Sequence, residues 1–268
     1  MTPRTMSDEL RQLLQSDVPS PGLFLGLDCA PVAEIAGLAG IEWVVVDLEH
    51  SGVTRADIGP AVVAANSVGI PVIVRVTSPD RSEIGWVVDQ GAAGVMVPRV
   101  ESFDEARAVT RHFTYPPAGD RGVASYTRAA SWGARALTDV SPPVCIIQIE
   151  TPGALADVDS ICSLEGADAL FVGPLDLSAA LGVLQDFDHP SYQAALGRVL
   201  ASGQAHDTPV GSIAGDDSRA AQLAAQGVSF VALGSDGMTL RAALTQKVAL
   251  FTQSAADTPA NNTGGFDA

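Results

Sequence analysis

Lysine is nearly absent. The 268-residue chain holds one, Lys247, beside fourteen arginines, and 31 Asp and Glu bring the net charge to −16. A surface of that sign repels the phosphates of nucleic acid and of anionic membranes, so neither is expected as a partner. Schiff-base catalysis needs an amine, and Lys247 falls within the last helical pattern rather than at a strand end. Three isolated cysteines, Cys29, Cys145 and Cys162, form no C-x-x-C pair, so neither a disulfide framework nor a thiolate zinc site is expected. No apolar run approaches the roughly 20 residues of a membrane span, and the polar start MTPRTMSDELRQ lacks a signal-peptide core. A soluble cytoplasmic protein is the expectation. Also missing are G-x-G-x-x-G, the P-loop, G-x-S-x-G and H-E-x-x-H, which removes several nucleotide, hydrolase and zinc-protease readings. The acidic surplus resembles the hydrated surfaces of proteins from salt-loving microbes.

What is present is a regular alternation of short apolar runs with Ala-rich helical patterns. GLFLGL (22–27), EWVVVDLEH (42–50), PVIVRVT (71–77) and GVMVPRV (94–100) form the first half. VCIIQIE (144–150), ADALFVGP (167–174), PVGSIAG (209–215) and SFVALGSD (229–236) form the second. Each is followed by a helical stretch, the signature of βαβ units on a parallel sheet. Eight such units in about 250 residues match a single-domain (β/α)8 TIM barrel over 1–253, with a short N-terminal extension. An open doubly wound sheet would place a glycine-rich phosphate loop after the first strand, and DCAPVAEIAG is not one. The tail 254–268, small and polar, is expected to be disordered.

In a barrel the active site lies at the carboxyl ends of the strands. The second run ends in Asp47, Glu49 and His50, the third carries Arg75, the fifth carries Gln148 and Glu150, and the sixth turns through Gly173, Pro174 and Leu175 to Asp176. Core packing does not explain charged groups closing four strands. Glu150 and Asp176, as two carboxylates leaving positions open, suit Mg²⁺ or Mn²⁺; alternatively each faces the N-terminus of the helix it precedes. Arg75, among Val and Ile, requires an anion, either Glu150 or a substrate oxygen that becomes negative during reaction. His50 is a candidate general base, a structural residue or a metal ligand. The turn at Gly173 opens a helix whose free N–H groups could receive a carboxylate. Cys29 is a weak nucleophile candidate, with no basic residue nearby.

Six blocks in order, WVVVDLEHSG, PVIVRV, GAAGVMVPRVES, YPPAGDRGVA, IIQIETPGALADVDSI and FVGPLDLSAALG, resemble the HpcH/HpaI family of metal-dependent pyruvate aldolases across about residues 20–250. The resemblance implies a barrel whose last helix is exchanged between subunits, in dimers that commonly build hexamers. It also implies reversible cleavage of a 4-hydroxy-2-keto (2-keto-3-deoxy) acid to pyruvate and an aldehyde through a metal-stabilised enolate. On matching positions it makes Glu150 and Asp176 ligands of a divalent ion, Mg²⁺, Mn²⁺ or Co²⁺, and gives Arg75 the keto oxygen. His50 becomes the base, supported by Asp47 and Asp89, while Gln148 and the backbone of Gly173, Pro174 and Leu175 form the pyruvate-carboxylate pocket. Glu49 receives no role.

Leu48 and Arg99 depart from the commonest family pattern, at positions expected to lie clear of the metal ligands. Relatives on this barrel that act on acyl-CoA thioesters, as citrate lyase β-subunits do, or that take oxaloacetate as enolate donor, tend to lack the D-x-E-H block. CoA phosphates would also call for cationic groups that this chain scarcely offers. An inactive scaffold barrel would show decay of the site, whereas each role is filled here by a competent residue.

Overall fold

A computed structural model describes residues 5–257. Its strands are β1 (Ser20–Leu25), β2 (Trp43–Asp47), β3 (Val72–Arg75), β4 (Gly94–Val97), β5 (Val144–Ile149), β6 (Ala169–Val172), β7 (Val210–Ile213) and β8 (Phe230–Ser235). All eight pair in parallel, each with its sequence neighbours, and β8 closes on β1. The helices are α1 (Met6–Leu14), α2 (Cys29–Leu38), α3 (Arg55–Ser67), α4 (Arg81–Asp89), α5 (Phe103–Arg111), α6 (Pro152–Ala156), α7 (Val158–Cys162), α8 (Pro174–Ala180), α9 (Pro190–Ala205), α10 (Asp217–Ala225) and α11 (Asp236–Asp257). The expected (β/α)8 TIM barrel is therefore what the chain forms. α11 runs through Asp257, and the rest of the tail expected to be disordered, 258–268, lies outside the described residues.

Side chains alternate across each strand, so a two-residue period sorts them between two cores. Val44, Val46, Val72, Val74, Cys145 and Ile147 face outward and join the layer beneath the helices. Phe24, Trp43, Val45, Ile73, Ile146, Phe171 and Phe230 face inward and fill the barrel. Trp43 meets Phe230 edge-on at 5.6 Å, and Phe171 bridges Phe24 and Phe230 at 5.9 Å each. These aromatics fit because Gly22 and Gly211 stand opposite them, where any Cβ would collide with Trp43 or Phe230. Beneath them α1 crosses the base of the barrel and presses Leu10 and Leu14, both essentially unexposed, into the same interior cluster.

The helices begin where short polar side chains meet their free N–H groups. Asp80, Ser102, Thr151 and Asp216 each accept a hydrogen bond from the N–H three residues on, at 2.8–3.3 Å. Several helices stop at glycines in the left-handed region, among them Gly69 (φ +78°) after α3 and Gly91 (φ +88°) after α4, turning the chain back towards the next strand. The strands are shorter than the apolar runs suggested. Their last polar residues belong to the loops at the barrel mouth, which is where a site can use them.

Candidate active site at the barrel mouth

The inward register that fills the barrel with aromatics becomes polar at its upper end. On β2 the series Trp43, Val45, Asp47 points inward; on β3 the series is Ile73, Arg75, and the two strands place Asp47 directly beside Arg75. On β5 the same parity carries Ile146, Gln148 and then Glu150 into the mouth. These residues surround a cavity of about 590 Å³ lined by Asp47, His50, Arg75, Gln148, Asp176 and the turn Gly173 to Leu175, with Leu27 and Met238 on its apolar side. That size suits a small organic ligand.

Arg75 is gripped by carboxylates. Its Nε donates to Asp47 Oδ1 at 2.8 Å and its Nη2 to Asp47 Oδ2 at 2.7 Å, a two-pronged pair. Nη1 lies 3.4 Å from Glu49 Oε2, and the guanidinium stands 5.0 Å over the Phe24 ring. Its structural counter-ions are therefore Asp47 and Glu49, not the Glu150 weighed from sequence. Burial alone would raise the Asp47 carboxyl. The Arg75 hydrogen bonds and charge, with the N–H groups of Glu49 and His50, outweigh it and hold Asp47 below the usual carboxylate range.

Asp47 spends its remaining capacity on those backbone N–H groups, at 3.0 and 3.4 Å, and so shapes the turn that carries His50. The exposed His50 imidazole has a different carboxylate beside it: its Nε2 is 3.7 Å from Glu49 Oε2. Burial raises the Glu49 carboxyl, the Arg75 and His50 charges pull it back, and Asp47 and Asp176 push it up again, leaving it raised. Sequence gave Glu49 no role. The fold makes it the group that touches both Arg75 and His50.

Across the mouth Glu150 is 4% exposed. Its Oε2 accepts from Gln148 Nε2 at 2.7 Å, and its Oε1 accepts from the Arg99 backbone N–H at 2.7 Å. The helix-terminus alternative does not describe it, since Thr151 is the residue that caps α6. Nor is Arg99 clear of this carboxylate: its backbone, at φ +57°, turns the N–H onto it. Burial, with Asp176 and Glu49 nearby, pushes the Glu150 carboxyl up to about 7 against the Arg99 hydrogen bond and the Arg75 charge. Asp176 is exposed in the first turn of α8, where it also faces the helix N-terminus.

Among the described residues no three His, Cys, Asp or Glu side chains converge as a ready-made cage. The donors present nevertheless fit a hard divalent cation. Glu150 and Asp176 offer carboxylate oxygens, the buried Gln148 Oε1 has no partner, and the raised Glu150 marks a place short of positive charge. Gly173 keeps this place open, because a Cβ there would land on Glu150 Oε2 and within 3.2 Å of Gln148 Nε2.

Asp89 is not brought to the mouth within one chain. It ends α4 and accepts from Arg121 Nη2 at 2.8 Å. Asp236, which sequence reading passed over, is drawn in: 6% exposed, it accepts from the N–H groups of Gly26, Leu27 and Gly237 at 2.7–3.1 Å and ties the end of β8 to the turn after β1. Its signal was its place as the last residue of SFVALGSD. Cys29 is buried, and burial with surrounding aspartates pushes its thiol up to about 12, which removes it as a nucleophile.

The family model described as HpcH/HpaI aldolase/citrate lyase matches residues 21–243. A 2-keto-3-deoxy-L-rhamnonate aldolase of Shigella boydii is 34% identical over 254 residues, covering 92% of this chain and 94% of that protein. The crystal structure of an HpcH/HpaI aldolase/citrate lyase family protein from Burkholderia cenocepacia superposes with a TM-score of 0.87 at 33% identity, covering 91% of this chain and 99% of the other. The citrate synthase SbnG, with a TM-score of 0.81 at 24% identity over 92% of this chain and 99% of the other, shares the fold. With a family-model match that spans nearly all of the barrel and a relative 34% identical over 92% of this chain, the chain belongs to the HpcH/HpaI aldolase/citrate lyase family.

Proposed function

We propose that the mouth binds a 4-hydroxy-2-keto (2-keto-3-deoxy) acid and cleaves it reversibly to pyruvate and an aldehyde, with Glu150 and Asp176 as ligands of Mg²⁺ or Mn²⁺. Family membership and the named aldolase relatives make this chain a carbon–carbon lyase of the aldolase kind. The observation that carries the site assignment is a fixed cation, Arg75, lining the same cavity as Gln148, which holds the buried Glu150, a carboxylate short of positive charge.

When bound, the divalent cation supplies Lewis-acid charge to the chelating 2-keto acid. Arg75, immobilised by Asp47 and Glu49, presents its remaining N–H to the keto oxygen and strengthens its hold as negative charge develops there. His50 takes the proton of the C4 hydroxyl, directly or through water, as the C3–C4 bond breaks. Glu49, beside the imidazole, stabilises it once protonated, while Asp47 holds the turn from which it projects. Gln148 and the N–H groups of Gly173 and Leu175, on the turn that Pro174 shapes, receive the substrate carboxylate. Asp89 keeps the supporting part the family resemblance gives it only as a residue outside the mouth of its own chain. The exposed apolar residues of α11 support a homo-oligomer, and the family resemblance makes it dimer-based, extending to a hexamer.

The test is product analysis on purified protein with Mg²⁺ or Mn²⁺. Pyruvate release from 4-hydroxy-2-keto acids, with no turnover of acyl-CoA thioesters, is the expected outcome. The reverse preference would assign a citrate-lyase-like reaction. Arg75 is the sole cation among the described residues lining the mouth, which leaves little to receive CoA phosphates.

A further inference from the structure

Three of the arginines gather at the opposite end of the barrel, away from the carbon chemistry. Arg121, Arg128 and Arg135 line a cavity of about 230 Å³ between the start of α1, the last turns of α3 and α4, and the long loop that precedes β5. Among the described residues no Asp or Glu lines it, in a chain whose acidic residues outnumber its basic ones two to one. Arg121 is 4% exposed; one of its donors, Nη2, reaches Asp89 at 2.8 Å, and its guanidinium stacks on Tyr115 at 4.8 Å. The Arg121 Nε is buried without a partner, and so is the Nε of Arg128, whose guanidinium lies 5.5 Å over Trp132. The Arg128 stem crosses Gly91, where a Cβ would come within 3.0 Å of it. Ser7, Ser131, Ser141 and Asn66 add hydroxyl and amide groups to the wall, and α1 turns its N-terminal end, the positive end of its dipole, towards the same space. The adjoining carboxylates are engaged, Asp89 by Arg121 and Asp8 by Thr5 and Ser141.

Burying the Arg121 and Arg128 Nε donors without partners is costly unless an anion meets them. We propose that this cavity is a binding site for a small oxyanion of two negative charges, phosphate or the phosphate end of a small monoester, which bridges Arg121, Arg128 and Arg135 and fastens the 112–143 loop onto α3 and α4. The planar guanidinium fork matches phosphate oxygens in pairs. The volume, below the ~300–1,000 Å³ of pockets for drug-sized ligands, limits the occupant to the ion and a short appendage.

Titration calorimetry of the full, metal-free chain with inorganic phosphate, at an ionic strength held constant with potassium chloride, tests the site. Saturable one-to-one binding and a higher thermal midpoint in phosphate are expected. Arg128→Gln, which leaves the Arg121–Asp89 pair in place, weakens binding by about tenfold or more. Arg107→Gln, on the exposed face of α5, leaves it unchanged. Glycerol phosphate in a parallel titration distinguishes the sources: its exclusion assigns the free ion, and its tighter binding assigns a monoester. Failure of the wild type to bind either probe saturably, or binding that Arg128→Gln does not weaken, overturns the proposal. Pyruvate release by Arg128→Gln stays at the wild-type level, so neither result bears on the aldolase site.

Discussion

Five carboxylates, Asp47, Glu49, Glu150, Asp176 and Asp236, share the barrel mouth with one guanidinium, and Arg75 is committed chiefly to Asp47 and Glu49. Glu150, buried and beside further negative charge, is the member left without compensation, and its carboxyl rises from 4.5 to about 7. A folded carboxyl that holds its proton more tightly than the unfolded one contributes stability below the unfolded pKa and loses it as pH rises through the folded value. Between pH 5 and pH 8 the metal-free protein should therefore lose about 2–3 kcal/mol more than Glu150→Gln does, read from urea melts of both. A divalent ion reverses the trend, stabilising more at pH 8, where Glu150 is already ionised. Arg75, Glu150 and Asp176 were legible as site candidates because a charged residue closing an apolar strand has few structural uses. The bond from Asp47 to Arg75 and the place of Glu49 beside His50 were not legible, since both depend on the β2–β3 register and on the path of a turn.

The elements divide the labour along the barrel axis. β2, β3, β5 and β6 carry polar residues to the mouth, while α1 seals the base with Leu10 and Leu14 against the aromatics below the site. Leu10→Ala removes a fully buried side chain from that seal and should cost about 2–5 kcal/mol, measured by chemical denaturation, with metal-dependent activity retained at low temperature. The eight strands were legible because each apolar run is short, β-rich and followed by a helical pattern. The role of α1 was not: MSDELRQLL reads as an amphipathic helix at a chain end, and only closure of the barrel creates the apolar opening it covers. Asp236 escaped notice for a similar reason, because its partners Gly26 and Leu27 lie some 210 residues away and meet it only when β8 pairs with β1.

As a whole the molecule is a −16 protein with one strongly apolar surface element. α11 leaves Leu240, Leu244, Val248, Leu250 and Phe251 between 52% and 75% exposed, an apolar face that nothing among the described residues covers. Sedimentation should show an oligomer, and Leu244→Asp with Phe251→Asp should shift it to smaller species. For the molecule as a whole we propose that a divalent cation held by Glu150 and Asp176 at the mouth of a family barrel drives cleavage of a 4-hydroxy-2-keto acid. The most direct test is the rate of pyruvate release by wild type and Glu150→Gln, each before EDTA treatment, after it, and after Mg²⁺ or Mn²⁺ is restored. EDTA should abolish wild-type release and the metal should restore it, while Glu150→Gln stays at least about 10²-fold below wild type whenever metal is present. Pyruvate release that survives both EDTA and Glu150→Gln would contradict this mechanism.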